Sequence, residues 1–356
     1  MSDTVLVTGG FGLVGSETVK RFAAAGRPVV ATDLDMPANH KKARALPAGA
    51  EVRWADLTNA AEVDRLLFEV APTAIVHLAA QLAPLMYRNA ALGRKVNVDA
   101  TATLVRAAEA LPDPPRFVLA SSAAVYGSRN PHRHSNPLRA DTPPHPTEVY
   151  GAQKLEAENL VRASNLEWVV LRLGGVLSVE ASAMPVGTDA PYIESALPID
   201  GRFHGVDVRD VATAFAAATT ADVVGEILLI AGDDSHKLRQ AEVGRTLAAA
   251  YGMDGVLPDG RPGDPDSDDD WFIIDWMDAS RAQEALSFQH HSWPDMVSEM
   301  RARAGWKRHL LRLLVPAAKV YTKRQSAYRN SPGRYADPWG AMRARLGEPG
   351  LETPKA

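Results

Sequence analysis

The 356-residue chain contains no cysteine, which excludes disulfides, thiolate metal sites, iron–sulfur clusters and a cysteine nucleophile together. Any metal would have to be held by His and carboxylates. A run of about 18 apolar residues, long enough to span a bilayer, is also missing. The opening MSDTVLVTGG leads from a polar start straight into a strand pattern rather than through a signal peptide, so the expected location is the cytoplasm. No internal repeat or heptad pattern is present. The body lacks basic charge: residues 1–300 hold 26 Lys and Arg against 40 Asp and Glu, while residues 301–356 hold 13 against 3. An acidic body argues against nucleic acid as a partner, because phosphate binding needs a basic face.

What is present is a chain with 46% hydrophobic residues, enough to bury a substantial core in one large domain or two of ordinary size. Its first half alternates short apolar runs with helical patterns, the signature of βαβ units and a parallel sheet. TVLVTGG (4–10), PVVATDLD (28–35), EVRWADL (51–57), AIVHLAA (74–80) and RFVLASS (116–122) read as strands, and EWVVLRLG (167–174) and EILLIAG (226–232) continue the sheet. Between the first two, Val14, Thr18, Phe22 and Ala25 share a helical face that Gly26 ends. A further helix is expected from about Asn97 to Ala110. The predicted class is α/β with a doubly wound parallel sheet.

Thr8-Gly9-Gly10-Phe11-Gly12-Leu13-Val14-Gly15 lies between the first strand and the first helix. A pyrophosphate needs backbone close to it and N–H groups aimed at it. Gly9, Gly12 and Gly15 permit the tight turn, the close approach and the helix–strand contact, and the helix start supplies the N–H groups. Asp33, at the end of the second strand, is placed to hold a ribose 2′-hydroxyl and to repel a 2′-phosphate, which favours NAD over NADP. Asp35 is a rival ranked second. Asp56 and Leu57, after the third strand, are placed to touch the adenine, and Leu78, Ala79 and Ala80 to line the cofactor.

The tripeptide Val-Tyr-Gly occurs twice, at 125–127 and 149–151. Tyr150 has Lys154 four residues on, one turn along the same helical face, where an ammonium favours phenolate and brings the phenol towards acid–base use. Tyr126 has Asn130 at that spacing and reads as a packing residue. Ser121 and Ser122 end the fifth strand, where the carboxyl ends of an open parallel sheet meet the ligand; either supplies a hydroxyl.

TGGFGLVG, HLAA, SSAAVYG and YGAQK, in this order and at these separations, resemble the extended short-chain dehydrogenase/reductases, specifically the NAD-dependent epimerase/dehydratase family. The resemblance covers roughly residues 4–300. It implies a Rossmann fold with a small C-terminal substrate-binding part, bound NAD, a small-molecule substrate and a homodimer. It puts the catalytic Ser on Ser122, with Ser121 as its neighbour, the acid–base on Tyr150, and the tuning and ribose-holding role on Lys154. It also matches Asn97 to the family's asparagine on the central helix, although Asn97 reads equally as a helix cap. The implied division is a cofactor-binding core (1–174), a substrate-binding part with returning elements of the core (175–304) and a basic helical tail (305–356).

Departures from the family pattern narrow the expectation. Dehydratases carry Asp-Glu after the catalytic Ser or Thr, where this chain has Ala123-Ala124, so dehydration is not expected. The Asn usual in sugar-nucleotide epimerases after Leu171-Arg172 is missing, and the segment that clamps the nucleotide is short. The leading expectation is therefore an oxidoreductase moving hydride between NAD and a compact secondary alcohol or ketone. The alternatives are a nucleotide-sugar epimerase and a non-catalytic NAD-binding protein. Substrate contacts are expected from 128–147 and 175–205.

Other polar clusters have plainer readings. His77 in its apolar strand reads as a satisfied core histidine. His132, His134 and His145 lack a third ligand at defined spacing. Asp264, Asp266 and Asp268 have the spacing that starts a calcium loop, but Asp269 stands where glycine is needed; no metal is expected. The basic segment 306–324 places Leu310, Leu313, Leu314, Ala317 and Tyr321 at helical spacing, interrupted by Pro316. Two readings fit it, a helix on an anionic membrane surface and a helix docked on an acidic protein body, and docking is favoured.

Overall fold

A computed structural model describes residues 3–180 and 189–351. The chain alternates strand and helix through β1 (Val5–Thr8), α1 (Leu13–Ala24), β2 (Val29–Asp33), α2 (Pro37–Ala43), β3 (Ala50–Trp54), α3 (Ala60–Val70) and β4 (Ala74–His77). It continues through α4 (Ala90–Arg94), α5 (Ala100–Glu109), β5 (Arg116–Ser122), α6 (Val149–Arg162) and β6 (Trp168–Leu173). Then come β7 (Gly175–Leu177), α7 (Ala190–Ala196), β8 (Arg202–Asp207), α8 (Val208–Ala218) and β9 (Ile227–Ile230).

Seven strands form one parallel sheet in the order β3-β2-β1-β4-β5-β6-β9. Such strands are covered on both faces, which is why they read as unbroken apolar runs. In β1, Val5 and Val7 enter one core layer and Leu6 the other, and all three are fully buried. Helices α1 and α8 pack together on the first face, and α3, α5 and α6 on the second. The strand order reverses between β1 and β4, so a crevice opens at their carboxyl ends, where open α/β sheets bind ligands. The expected Rossmann-type doubly wound sheet is what the chain forms.

Beyond the main sheet, β8 pairs with β7 in parallel and with β10 (Lys237–Arg239) in antiparallel fashion. Helices α9 (Gln240–Ala250), α10 (Ser280–Leu286) and α11 (Trp293–Ala304) complete this part. The tail forms α12 (Lys307–Arg324), which runs through Pro316, and α13 (Pro338–Arg345). No helix among the described residues is long and apolar enough to cross a membrane.

The central helix starts earlier than the sequence suggests. Chain at Lys95–Asp99 forms a π-type turn joining α4 to α5, so Asn97 lies inside a helical run and is not a cap. Residues 181–188, part of the expected substrate segment 175–205, lie outside the described residues.

Candidate active site

The glycine turn closes against β4. Gly9 has φ +64°, and a Cβ there would come 2.8 Å from the Ala79 nitrogen; at Gly15 it would collide with the Gly9 carbonyl. Gly12 is the N-cap of α1 with no side chain to cap it, which leaves the first-turn N–H groups and the positive end of the helix dipole for an anion. These residues, with Leu13 and Val14, line a cleft of about 780 Å³ that also takes in Asp33, Asp56, Leu57, Leu78, Ala79, Ala80, Ser121, Ser122, Tyr150 and Lys154. The crowding and the free helix end fit the pyrophosphate of a dinucleotide.

Asp33 lines the cleft at the end of β2. Its Oδ1 accepts from Leu34 N at 2.9 Å and its Oδ2 from Phe11 N at 3.3 Å, so backbone beside the glycine turn orients the carboxylate. Asp35 is exposed, outside the cleft, and paired with His40 at 2.6 Å. Of the two carboxylates, Asp33 is the one on the cleft wall. Lys42 also lines the cleft, donating to Phe11 O at 2.9 Å. With that cation in place, Asp33→Ser is expected to weaken NAD binding about tenfold to a hundredfold, as loss of a charged hydrogen bond does. NADP affinity should rise. Titration of both cofactors by protein fluorescence checks this, and unchanged NAD affinity would remove Asp33 from the role.

At the end of β5 successive side chains point to opposite faces. Ser121 turns inward and donates to Glu158, whereas Ser122 Oγ accepts from Ala124 N at 3.2 Å and lines the cleft with Tyr150. The alternation therefore separates the two serines: Ser122 faces the acid–base candidate and Ser121 is committed to the interior. Lys154, one turn along α6, is 5% exposed and donates to Ala120 O at 2.9 Å. Burial lowers its pKa to about 8, opposed by Glu158.

One electrostatic expectation changes. Lys154 Nζ lies 6.0 Å from the centre of the Tyr150 ring and is held by a β5 carbonyl. Burial raises the Tyr150 phenol above its ordinary pKa, the Ser122 hydrogen bond pulls it down and the Glu148 charge pushes it up. The local partner that eases deprotonation is thus Ser122.

Tyr126 is built into the interior as expected. Its hydroxyl donates to Arg139 O at 2.8 Å and accepts from Arg172 at 2.7 Å. Arg172 in turn forks onto Glu158 with contacts of 2.9 and 2.7 Å, both side chains being almost fully buried. Asn97 does not line the cleft. Its amide accepts from Gln81 N at 2.8 Å and donates to Gln81 O and Gln153, so it pins the backbone of the cleft wall. His77 is a core residue: Thr101 spends its proton on Asn97 O, so Nε2–H donates to Thr101 and Nδ1 accepts from Thr8. Burial lowers its pKa to about 3, which keeps it neutral.

Three features went unread in the sequence. Glu148, fully buried, caps α6 by accepting from Tyr150 N and Gly151 N and from the Tyr87 hydroxyl; burial raises its pKa to about 7. Glu is not a usual cap, so the helix start gave no signal there. Phe272, Ile273 and Ile274 close the cleft from the segment after the acidic loop. Finally, α13 and the residues after it back the start of α6. Met342 and Leu346 share a core with Tyr87, Val149 and Tyr150, and Val149 N donates to Pro349 O at 2.9 Å.

The acidic and His-rich loops knit to each other. Arg133 pairs with Asp268 at 2.9 Å, and Asn130 donates to the carbonyls of Pro265 and Ser267. Asp275 is buried against Arg129 and Arg202. Among the described residues no group of His, Asp or Glu is arranged to hold a metal.

A sequence model of the NAD dependent epimerase/dehydratase family matches residues 5–191. The UDP-glucose 4-epimerase of Azospirillum brasilense is 33% identical over 205 residues, covering 52% of this chain and 54% of that protein. The methionine adenosyltransferase 2 subunit beta of Bos taurus is 32% identical over 190 residues, 52% of each. This chain thus aligns with about half the length of the curated relatives it matches. Among solved structures, a UDP-glucose 4-epimerase of Thermotoga maritima shares the fold with a TM-score of 0.67 at 20% identity, covering 86% of this chain and 99% of that one.

Proposed function

The chain belongs to the NAD dependent epimerase/dehydratase family, and from that premise we propose that it inverts a secondary alcohol carbon of a nucleotide-linked sugar, with Ser122, Tyr150 and Lys154 as its catalytic set. The observation that carries the reading is a single cleft whose wall brings Ser122, Tyr150 and Lys154 together beside the glycine turn. Bound NAD supplies the acceptor and donor of a hydride. Ser122 holds the substrate oxygen; Tyr150 takes the hydroxyl proton as the carbon loses its hydride and becomes a ketone. Once the ketone presents its other face and regains the hydride, Tyr150 returns the proton, and no net oxidation results. Lys154, one turn along α6 from Tyr150 and fixed by the Ala120 carbonyl of β5, keeps a cation near the phenol and the ribose site.

One observation argues against dehydration, and a second favours inversion over the leading expectation of a net dehydrogenase. Ala123 and Ala124 follow Ser122 and are buried, so this wall offers no further acid–base for eliminating water. The relative from Azospirillum brasilense is itself named a UDP-glucose 4-epimerase. A thermal melt tests the substrate class, because a ligand that binds the native state raises its melting point. NAD is expected to raise it, and UDP or dTDP to add a further shift. If no nucleoside diphosphate adds a shift and free ketones are reduced by NADH, the dehydrogenase reading replaces this one.

A further inference from the structure

The tail divides its charges unequally. On α13, Arg345 meets Asp189 at 2.9 Å, and Arg343 meets Glu348 at 2.8 Å. On α12, Lys307, Arg308, Arg312, Lys319, Lys323 and Arg324 meet no carboxylate among the described residues, and the helix contains no acidic residue. The acidic body that α13 engages is left unused by α12.

Its apolar side chains are divided too. Leu311, Val315, Ala318 and Thr322, spaced at helical period, face the body, and Thr322 hydrogen-bonds the Val256 carbonyl. Trp306 and Leu313 are 68% and 77% exposed, and Leu310, Leu314, Val320 and Tyr321 are each more than half exposed. At about 100° per residue these six side chains occupy an arc of roughly 120° directed away from the body. By the same spacing Lys307 lies about 20° beyond one edge of the arc, Lys323, Arg312 and Lys319 lie roughly 60–100° beyond the other, and Arg324 falls on the arc at its C-terminal end.

We propose that α12 is an interfacial anchor that lays this arc into the surface of an anionic lipid membrane. A helix with one apolar stripe, cations flanking it and no acid has the composition of surface-lying helices, and four to eight basic residues on such a helix suit anionic headgroups. Tyr321 and Trp306 lie at its two ends, where rings with a polar handle sit at a headgroup boundary. A second copy of α12 is a poor occupant, because pairing the two faces would bring both sets of six cations together with no acid between them. Other exposed large apolar residues, such as Leu34, Phe68, Leu92 and Val224, lie on separate elements and form no matching face. Docking is the favoured expectation for the segment 306–324; the inner face of α12 meets the body through Thr322, while its outer face suits the membrane reading.

The test uses the full chain, since α13 supports the catalytic helix and truncation would disturb both. Sedimentation with vesicles of phosphatidylcholine plus phosphatidylglycerol should pellet the protein at low salt, and vesicles of phosphatidylcholine alone should not. Salt at about 1 M, where the Debye length falls to about 3 Å, should reverse most of the binding. Leu310→Asp with Leu313→Asp, and separately Arg312→Glu with Lys319→Glu, should each reduce the pelleted fraction at least tenfold while leaving the NAD-induced melting shift unchanged. Wild-type protein that stays in the supernatant with anionic vesicles overturns the proposal, as does undiminished binding by the leucine variant. Sedimentation equilibrium showing a wild-type dimer that the leucine variant makes monomeric would assign the face to a second copy instead.

Discussion

Tyr150→Phe is expected to lower turnover by about a thousandfold or more while leaving NAD binding within about twofold, since positioned acid–base groups contribute roughly 10²–10⁴. The change removes one oxygen from a ring packed at 8% exposure and keeps the ring itself, so folding should survive. What disappears is the group proposed to carry the substrate proton. The pH profile gives an independent readout. Burial holds the Tyr150 phenol above its ordinary pKa, so at neutral pH the base form is scarce and wild-type activity should climb towards alkaline pH. The residual rate of the variant should lack that rise. Full activity in Tyr150→Phe, or an unchanged alkaline limb, would remove Tyr150 from the proton path and leave Ser122 without its partner.

That prediction starts from a spacing visible in the sequence, and the reason it was visible is physical. Two residues four apart on a helix must share a face, so Tyr150 and Lys154 were brought together by the helix alone. The glycine turn and Asp33 were legible for a similar reason: a strand, a turn without Cβ atoms and a helix start are local. The strands of the main sheet were legible because both faces are covered, so the chain writes them as continuous apolar runs.

What stayed hidden depends on contacts between distant segments or on rarer local geometry. Asn97 sits in a π-type turn whose extra residue per turn no hydrophobic period announces, and its amide meets Gln81 and Gln153 only after folding. Phe272 to Ile274 reach the cleft from more than a hundred residues beyond α6. Pro349 reaches Val149 across 200 positions of sequence. Spacing put Lys154 on the same face as Tyr150, but it could not show that the ammonium is engaged by the Ala120 carbonyl, which belongs to another element.

The same dependence on long-range pairing governs the second large effect. Arg172 on β6 and Glu158 on α6 form a two-point ion pair at 1% and 0% side-chain exposure. Glu158 also accepts from Ser121, and Arg172 donates to Tyr126. Replacing Arg172 by Met leaves a buried carboxylate whose remaining side-chain partner is a serine hydroxyl, and breaking a buried pair from one side costs about 3–5 kcal/mol. Arg172→Met should therefore unfold at markedly lower urea concentration than wild type, with a similar slope. Replacing both partners, as Arg172→Met with Glu158→Leu, removes the orphaned charge and should recover much of the loss, since apolar replacement of a whole buried pair is often nearly neutral. Ser121 then loses its acceptor, and the recovery should stop short of wild type by about 1–3 kcal/mol, the cost of an unsatisfied buried hydroxyl. Equal urea midpoints for Arg172→Met and wild type would mean that the pair stabilises nothing and that the network beneath Ser122 is held by packing alone.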